Sequence, residues 1–144
     1  MLDEMDKQIL LVLQEKARIS MTELGKAVAL SQPAVSERVK RLEEEGVIDH
    51  YRAVVPAEKV NKPISAYVLF HTKSCERFVD YCEKTEEVIE LHRISGQYNF
   101  LLKMVADSLQ SLESRMNKLG EYGDSTTLIV LSSPIKGAKV IPCF

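Results

Sequence analysis

The sequence has little that would mark a membrane, secreted or metal-binding protein. No apolar run in its 144 residues approaches the roughly 20 residues that cross a bilayer. The acidic start MLDEMDKQ lacks the basic and apolar regions of a signal peptide. Three cysteines form no CxxC pair, and three histidines are scattered without metal-ligand spacing. We therefore expect a cytoplasmic chain with buried or idle thiols, no metal, no cofactor and no membrane partner.

An excess of positive charge is also absent. The formal net charge is −2, with 9 basic and 11 acidic side chains in residues 1–59 and 10 of each in the remainder. Bulk charge therefore gives no reason to expect a nucleic-acid partner. Such a partner would have to be recognised through local shape and local charge. Apolar residues make up 45% of the chain, which is enough for a packed core.

Helical periodicity and capping residues dominate the N-terminal third of the chain. Residues 2–18 carry apolar side chains at helix spacing behind an acidic first turn, which suits the helix dipole. Ser20 and Glu23 fit a capping box for a second helix. Ser31 is a good N-cap for a third helix, and Pro33 is tolerated in its first turn. The sequence therefore predicts three helices.

The short turn between the second and third helices is typical of a helix-turn-helix. Gly25 has no side chain to block the neighbouring helix, and Ala29 is small at the turn. Gly46 suits the end of the third helix. A small bundle without a DNA role is the alternative interpretation. The apolar positions that pack such a pair of helices hold Leu24, Val28, Leu30, Val35, Val39 and Leu42.

In a helix-turn-helix, the third helix presents to the major groove the side opposite its apolar residues. Gln32 can pair with adenine, and Ser36 can contact a base or a phosphate. Lys40 and Arg41 suit phosphates or guanine, whereas Arg38 lies nearer the buried edge and also braces the fold. The predicted DNA-facing residues are Gln32, Pro33, Ser36, Glu37, Arg38, Lys40 and Arg41.

Acidic residues on this helix have a separate interpretation. Glu37 either accepts from a cytosine amino group or pairs with Arg41 four residues on, and we favour the ion pair. The three glutamates at positions 43–45 lie past the turns that would enter the groove. We expect them to form a solvated face.

The pattern changes after the third helix, and it predicts an α+β protein with a second domain. Residues 47–55 have a β-like pattern. The predicted division is a helix-turn-helix domain at 1–55, a linker at 56–63 and a βαββαβ, ferredoxin-like domain at 64–144. The predicted strands are 64–72, 88–95, 98–106 and 125–133, with helices at 75–85 and 108–119 and with Asp107 as the cap of the last helix.

Three stretches resemble the Lrp/AsnC family of leucine- and asparagine-responsive regulators, also called feast/famine proteins. They read LDEMDKQIL, ARISMTELGKAVALSQPAVSERVKRLEEEGVI and VIELHRISGQYNFLL, and the domain order also matches. The resemblance implies a helix-turn-helix that binds double-stranded DNA and a βαββαβ domain that dimerises and binds small effectors. It also implies dimers, tetramers or octamers around which DNA bends, hence a nucleoid-associated protein.

The resemblance places an effector at a Gly-acid-aromatic-Asp loop between the second and third strands of that domain. Here Gln97 replaces the acid, and Asn99 replaces the aspartate that suits an amino acid's ammonium group. An amide still accepts a hydrogen bond, but it lacks the charge that strengthens one. The implied ligand is a free amino acid, and a plain hairpin turn is the alternative. The candidate effector residues are Gly96, Gln97, Tyr98, Asn99, Asp124 and Thr126.

A lone βαββαβ sheet has one open face, and pairing two copies would bury it. We expect its first and last strands at the sheet edges. Two functions compete with a regulator that responds to an effector. One is an architectural protein that bends DNA with little sequence preference and no effector. The other is an enzyme or regulatory subunit, which is disfavoured because no Walker loop, nucleophile elbow or metal cluster occurs in the sequence.

Overall fold

A computed structural model describes residues 1–143, which form two compact units. The helical unit comprises residues 1–53 and 135–143, and the sheet unit comprises residues 54–134. The C-terminal segment thus joins the helical unit, although the predicted boundaries put it in the second domain. The Gln14 side-chain amide bonds both the N–H and the carbonyl of Val140, at 2.8 and 2.9 Å. Within residues 1–143, no helix is long and apolar enough to cross a membrane.

The helical unit contains the three predicted helices, with caps close to the predicted ones. Ser20 Oγ accepts the N–H of Glu23, but Glu23 returns no bond, so a full capping box is not formed there. The reciprocal box is found instead at the first helix, between Asp3 and Asp6. The helices are α1 (Glu4–Glu15), α2 (Met21–Ala27) and α3 (Gln32–Glu44).

The end of α3 explains the glycine at position 46. Gly46 has φ +70° and donates to the Glu43 carbonyl at 3.0 Å, while Val47 donates to the Leu42 carbonyl at 2.9 Å. These two bonds form a Schellman motif, which needs a left-handed residue at this point. The β-like prediction for residues 47–55 is wrong for the chain described, because no neighbouring strand pairs with them.

Close backbone approach defines the turn between α2 and α3. The Leu30 N–H donates to the Gly25 carbonyl at 2.8 Å. A Cβ on Gly25 would stand 2.7 Å from the Leu30 oxygen, so only glycine fits there without movement. Ala29 occupies the left-handed region at φ +55°. The buried core beneath this turn consists of Ile9, Leu10, Leu13, Leu24, Val28, Val35, Val39 and Leu42.

The sheet unit has the predicted βαββαβ order. A short 3-10 turn at Ala57–Val60 precedes it. Its elements are β1 (Ile64–Thr72), α4 (Cys75–Glu83), β2 (Val88–Arg93), β3 (Phe100–Ala106), α5 (Leu109–Leu119) and β4 (Gly123–Ile129).

The antiparallel sheet has the order β2-β3-β1-β4, so β1 is central and the edges are β2 and β4. The expectation of β1 at an edge is therefore wrong, because β1 pairs with both β3 and β4. Asp107 is also not the cap of α5. Ser108 is the cap, since its Oγ accepts the N–H of Ser111 at 3.1 Å.

Alternation along the strands separates two faces. Side chains on one face of β1 and β3 pack against α4 and α5, and this core includes Val68, Phe70, Phe78, Leu102 and Leu112. The opposite face carries Tyr67 and Leu69, with Leu101 and Leu128 on the paired strands. Neither α4 nor α5 covers that face. Leu128 is 49% exposed there.

We predict that Ala29→Gly stabilises the helical unit. An L-residue in the left-handed region costs about 1–2 kcal/mol. Glycine removes that cost, and its greater freedom in the unfolded chain offsets roughly 0.4–1 kcal/mol of the gain. We expect a net rise of about 0.5–1 kcal/mol in the free energy of unfolding, measured by urea titration of the full chain. The control is Ala27→Gly at the last residue of α2, which should destabilise the helical unit by up to about 1 kcal/mol. Equal losses in both variants would contradict the prediction.

Candidate DNA interface and effector loop

The first turn of α3 carries the two predicted base-contacting side chains. Ser31 Oγ accepts the N–H of Ala34, which fixes where the helix begins, and Pro33 occupies its second position. Gln32 Nε2 donates to Ser36 Oγ at 3.0 Å. Gln32 is exposed and Ser36 is half-buried. The two predicted base contacts thus lie together at the start of α3, one helical turn apart.

Arg38 and Arg41, also on α3, bind carboxylates of α1. Asp6 is 0% exposed, and its two oxygens accept Arg38 Nη1 at 2.8 Å and Arg41 Nη2 at 2.7 Å. Arg38 Nη1 also donates to both oxygens of Asp3, at 3.0 and 2.8 Å. The backbone N–H of Asp6 and the Arg38 guanidinium lower the pKa of the Asp3 carboxyl. The carboxylates of Asp3 and Asp6 in turn raise the pKa of Arg38.

Among the remaining charges of α3, one expectation is wrong. Glu37 does not pair with Arg41, because Arg41 binds the buried Asp6, and Glu37 has no ion pair within residues 1–143. Lys40 pairs with Glu44 at 3.6 Å yet stays 72% exposed, so its ammonium remains accessible to a phosphate. Glu43 lies on the exposed surface as expected, and it accepts the Tyr51 hydroxyl at 2.8 Å.

Asp3 and Asp6 are site residues that the sequence interpretation missed. From the sequence alone, the helix dipole at the start of α1 accounts for both acids and gives them no further role. The available signal was position: Asp6 falls in register with Ile9, Leu10 and Leu13, all of which are buried. A charged residue in line with the apolar face of a helix must find a partner. Arg38 and Arg41, three residues apart on α3, are those partners.

In the loop between β2 and β3, Asn99 has a structural contact. Its Oδ1 accepts the N–H of Thr72 at 3.0 Å, and its Nδ2 donates to the Thr72 carbonyl at 2.8 Å. The amide thus pairs with the backbone at the end of β1 as another strand would. The Asn99 N–H donates to the Phe70 carbonyl at 3.0 Å. An acceptor oxygen of Asn99 is therefore already in use, and this speaks against the predicted contact with an ammonium group.

The other candidate effector residues divide into an exposed tip and a polar pair. Gly96, at φ +112°, and Gln97 are exposed at the tip of the loop. Tyr98 contacts β4, where its hydroxyl lies 2.7 Å from Thr126 Oγ1. Asp124 is two residues before Thr126 on the same strand, so both side chains leave the same face. The structure thus brings Tyr98 and Thr126 together and turns Asn99 toward Thr72.

Two family models match the chain in the same order as its two units. A winged helix-turn-helix DNA-binding model matches residues 2–49. A model described as the Lrp/AsnC ligand binding domain matches residues 65–140, more than half of the chain. The first match covers all three helices and the turn between α2 and α3. The second covers all but the first residue of the four-stranded sheet.

Similar proteins of known name are regulators rather than enzymes. The chain is 42% identical over 132 residues to YezC of Bacillus subtilis, an uncharacterised HTH-type transcriptional regulator, covering 92% of this chain and 95% of the relative. It is 35% identical over 133 residues to the regulator LrpC of the same organism, covering 91% and 92%.

Solved structures agree with this relationship. The B. subtilis LrpC structure matches with a TM-score of 0.89 at 35% identity, over 92% of this chain and 96% of that one. A Neisseria meningitidis transcriptional regulator, solved as a complex with L-Met, matches with a TM-score of 0.91 at 27% identity, over 97% and 96%. With both family models, these matches show that the chain belongs to the Lrp/AsnC family of DNA-binding transcriptional regulators.

Proposed function

We propose that this regulator reads DNA with the exposed side of α3 in the major groove. The observation that carries the proposal is the pairing of an exposed polar row with a buried apolar row on one helix. Val35, Val39 and Leu42 are buried, whereas Gln32 and Lys40 face solvent. The turn after α2 holds this helix in a fixed orientation, as major-groove recognition requires.

The residues of this row have different proposed roles. Gln32 and Ser36 contact base edges near the start of α3, while Lys40 contacts a phosphate. Pro33 and Glu37 lie on the same exposed side and contribute to the shape of the contact surface. Arg38 and Arg41 reach the DNA with guanidinium groups already bound to Asp6. These few side chains determine which bases the protein recognises.

We predict that Lys40→Ala weakens binding to all DNA sequences alike. A phosphate contact supplies affinity without sequence information, so its loss should flatten the salt dependence of the Kd by about one ion. Fluorescence anisotropy with random and selected duplexes over a range of KCl would measure both effects. Lys84→Ala is a matched control, because Lys84 also forms an i,i+4 pair and is 73% exposed, but lies at the C-cap of α4.

The same assay separates positioning contacts from base contacts. Gln32→Ala should alter the preferred sequence by about 1–3 kcal/mol at one position while leaving the salt dependence unchanged. If neither Lys40→Ala nor Gln32→Ala changes binding beyond the Lys84→Ala control, the proposed DNA face is wrong.

We further propose a homodimer, or a larger assembly of dimers, built on the open face of the sheet. Tyr67 lies opposite Leu128 and Lys103 in the strand registers, and Leu69 lies opposite Leu101. An open apolar face of this kind is stabilised by a second copy. Two recognition helices on a two-fold axis would then contact half-sites about 34 Å apart or a multiple of it.

We predict that Leu128→Asp reduces the assembly to smaller species. A carboxylate within an apolar contact would lose hydration without gaining a partner. Size exclusion with light scattering would show a fall in mass relative to the wild type. Gln110→Asp is the control, since it adds the same charge at an exposed position of α5. A wild type that runs as a monomer at micromolar concentration would contradict the proposal.

We also propose that a free amino acid binds beside the loop between β2 and β3. The family model of a ligand binding domain and the L-Met complex of the similar Neisseria protein support this proposal. Because the Asn99 amide bonds to Thr72, we assign the ammonium contact to Asp124, the carboxylate nearest in sequence to Thr126 on β4. Gly96, Gln97 and Tyr98 would close over the ligand.

We predict that Asp124→Asn weakens amino-acid binding at least tenfold. A bond to a charged group contributes about 1.5–3 kcal/mol, and an amide lacks that charge. Calorimetric titration with L-methionine and L-leucine would measure the Kd. The control is Glu113→Gln at an exposed position of α5. If none of the twenty amino acids binds or alters DNA affinity, the architectural function without an effector is favoured instead.

A further inference from the structure

We infer that Asp6 is a positioning residue for DNA recognition, whose buried carboxylate orients the guanidinium groups of Arg38 and Arg41 toward the groove. The inference rests on the proposed DNA face of α3. Asp6 itself does not touch DNA, because its side chain has no exposed surface. It acts through two arginines on another helix.

The carboxylate of Asp6 is fully bonded. One oxygen accepts Arg38 Nη1 at 2.8 Å. The other accepts Arg41 Nη2 at 2.7 Å and the backbone N–H of Asp3 at 3.1 Å. A carboxylate removed from water persists as a charge only when it is paired in this way. These contacts hold both arginines along the edge of α3 nearest α1, where the side chains of Arg38 and Arg41 remain 29% and 42% exposed.

Each arginine is held by one nitrogen of its fork. Arg38 uses Nη1 for all of its bonds to Asp3 and Asp6, and Arg41 uses Nη2. A guanidinium is planar and has five donors in fixed directions, so a bond at one nitrogen sets where the others point. The remaining donors are those that suit guanine or a phosphate. Fixing them beforehand lowers the ordering cost of binding.

The charges in this cluster sum to zero, with two arginines against Asp3 and Asp6. The carboxylates therefore reduce the long-range attraction of the arginines to DNA while they fix its direction. Loss of Asp6 would add a positive charge near the DNA and release two side chains. Selectivity for the preferred sequence should fall, whereas affinity for random-sequence DNA should not.

The test compares two duplexes of equal length, one selected by the wild-type protein from a random library and one of random sequence. For Asp6→Asn, we expect the ratio of the two affinities to fall at least tenfold, while the affinity for random DNA stays equal or rises. A role limited to holding α1 against α3 would lower both affinities in proportion. That result, or an unchanged ratio, would overturn the inference.

Asp3→Asn keeps the test decisive if Asp6→Asn does not fold. Asparagine caps a helix as well as aspartate does, so this variant removes a charge from Arg38 and leaves α1 intact. We expect a smaller fall in the same ratio, with unfolding by urea unchanged. An unchanged ratio in the folded Asp3→Asn variant would then count against the inference.

Arginine variants separate failure of the inference from failure of the proposed DNA face. If Arg38→Ala and Arg41→Ala leave the affinity ratio unchanged but Gln32→Ala lowers it, the inference fails and the proposed DNA face stands. If all three variants leave the ratio unchanged, the proposed face is wrong. If the arginine variants lower the ratio and Asp6→Asn does not, only the positioning role fails. With both arginines replaced, Asp6→Asn should have no further effect on the ratio.

Discussion

The buried carboxylate of Asp6 is the constraint on which the helical unit depends. An aspartate without exposed surface cannot stay charged unless cations replace its water, and Arg38 and Arg41 do so. Removing one partner of such a pair typically costs about 3–5 kcal/mol, because the other charge is left without compensation. This cost links α1 to α3, two helices that otherwise meet through the Arg38–Asp3 pair and through an apolar core that does not specify direction.

A second constraint acts on the backbone and sets the angle at which α3 is presented. The carbonyl of Leu30 occupies the space that a Cβ on Gly25 would need, and Ala29 completes the turn in a left-handed conformation. The turn thus accepts local strain to bring two helices close together. Beyond it, the Ser31 cap fixes where α3 begins and so where Gln32 stands. Selective contact with bases depends on that position.

Local rules in the sequence predicted most of the fold. Within residues 1–143, periodicity and capping predicted the five α-helices and the four strands, because each signal lies within one segment. Two errors are local, namely the missing bond from Glu23 back to Ser20 and the cap of α5 at Ser108 instead of Asp107. The other errors concern partners distant in sequence. The i,i+4 rule favoured a Glu37–Arg41 pair, but Arg41 binds an acid 35 residues away. Residues 47–55 have a β-like pattern, but a strand also needs a neighbour. Asn99 matched a ligand position, and only the fold brings the Thr72 backbone to its amide.

The slight acidity of the chain is compatible with DNA binding because the acids next to α3 are already paired with cations. Asp3 and Asp6 form ion pairs with arginines of α3, and Glu44 forms an ion pair with Lys40 beyond the first turns of that helix. A phosphate at α3 therefore meets the local charge of the helix and not the net charge of the chain. That local charge is the charge of the exposed cations, reduced by the acids that are bound to them. Such an interface gains little from long-range attraction and depends on the geometry of few contacts. The interface therefore requires side chains in fixed positions. The buried carboxylate of Asp6 fixes two of them, Arg38 and Arg41.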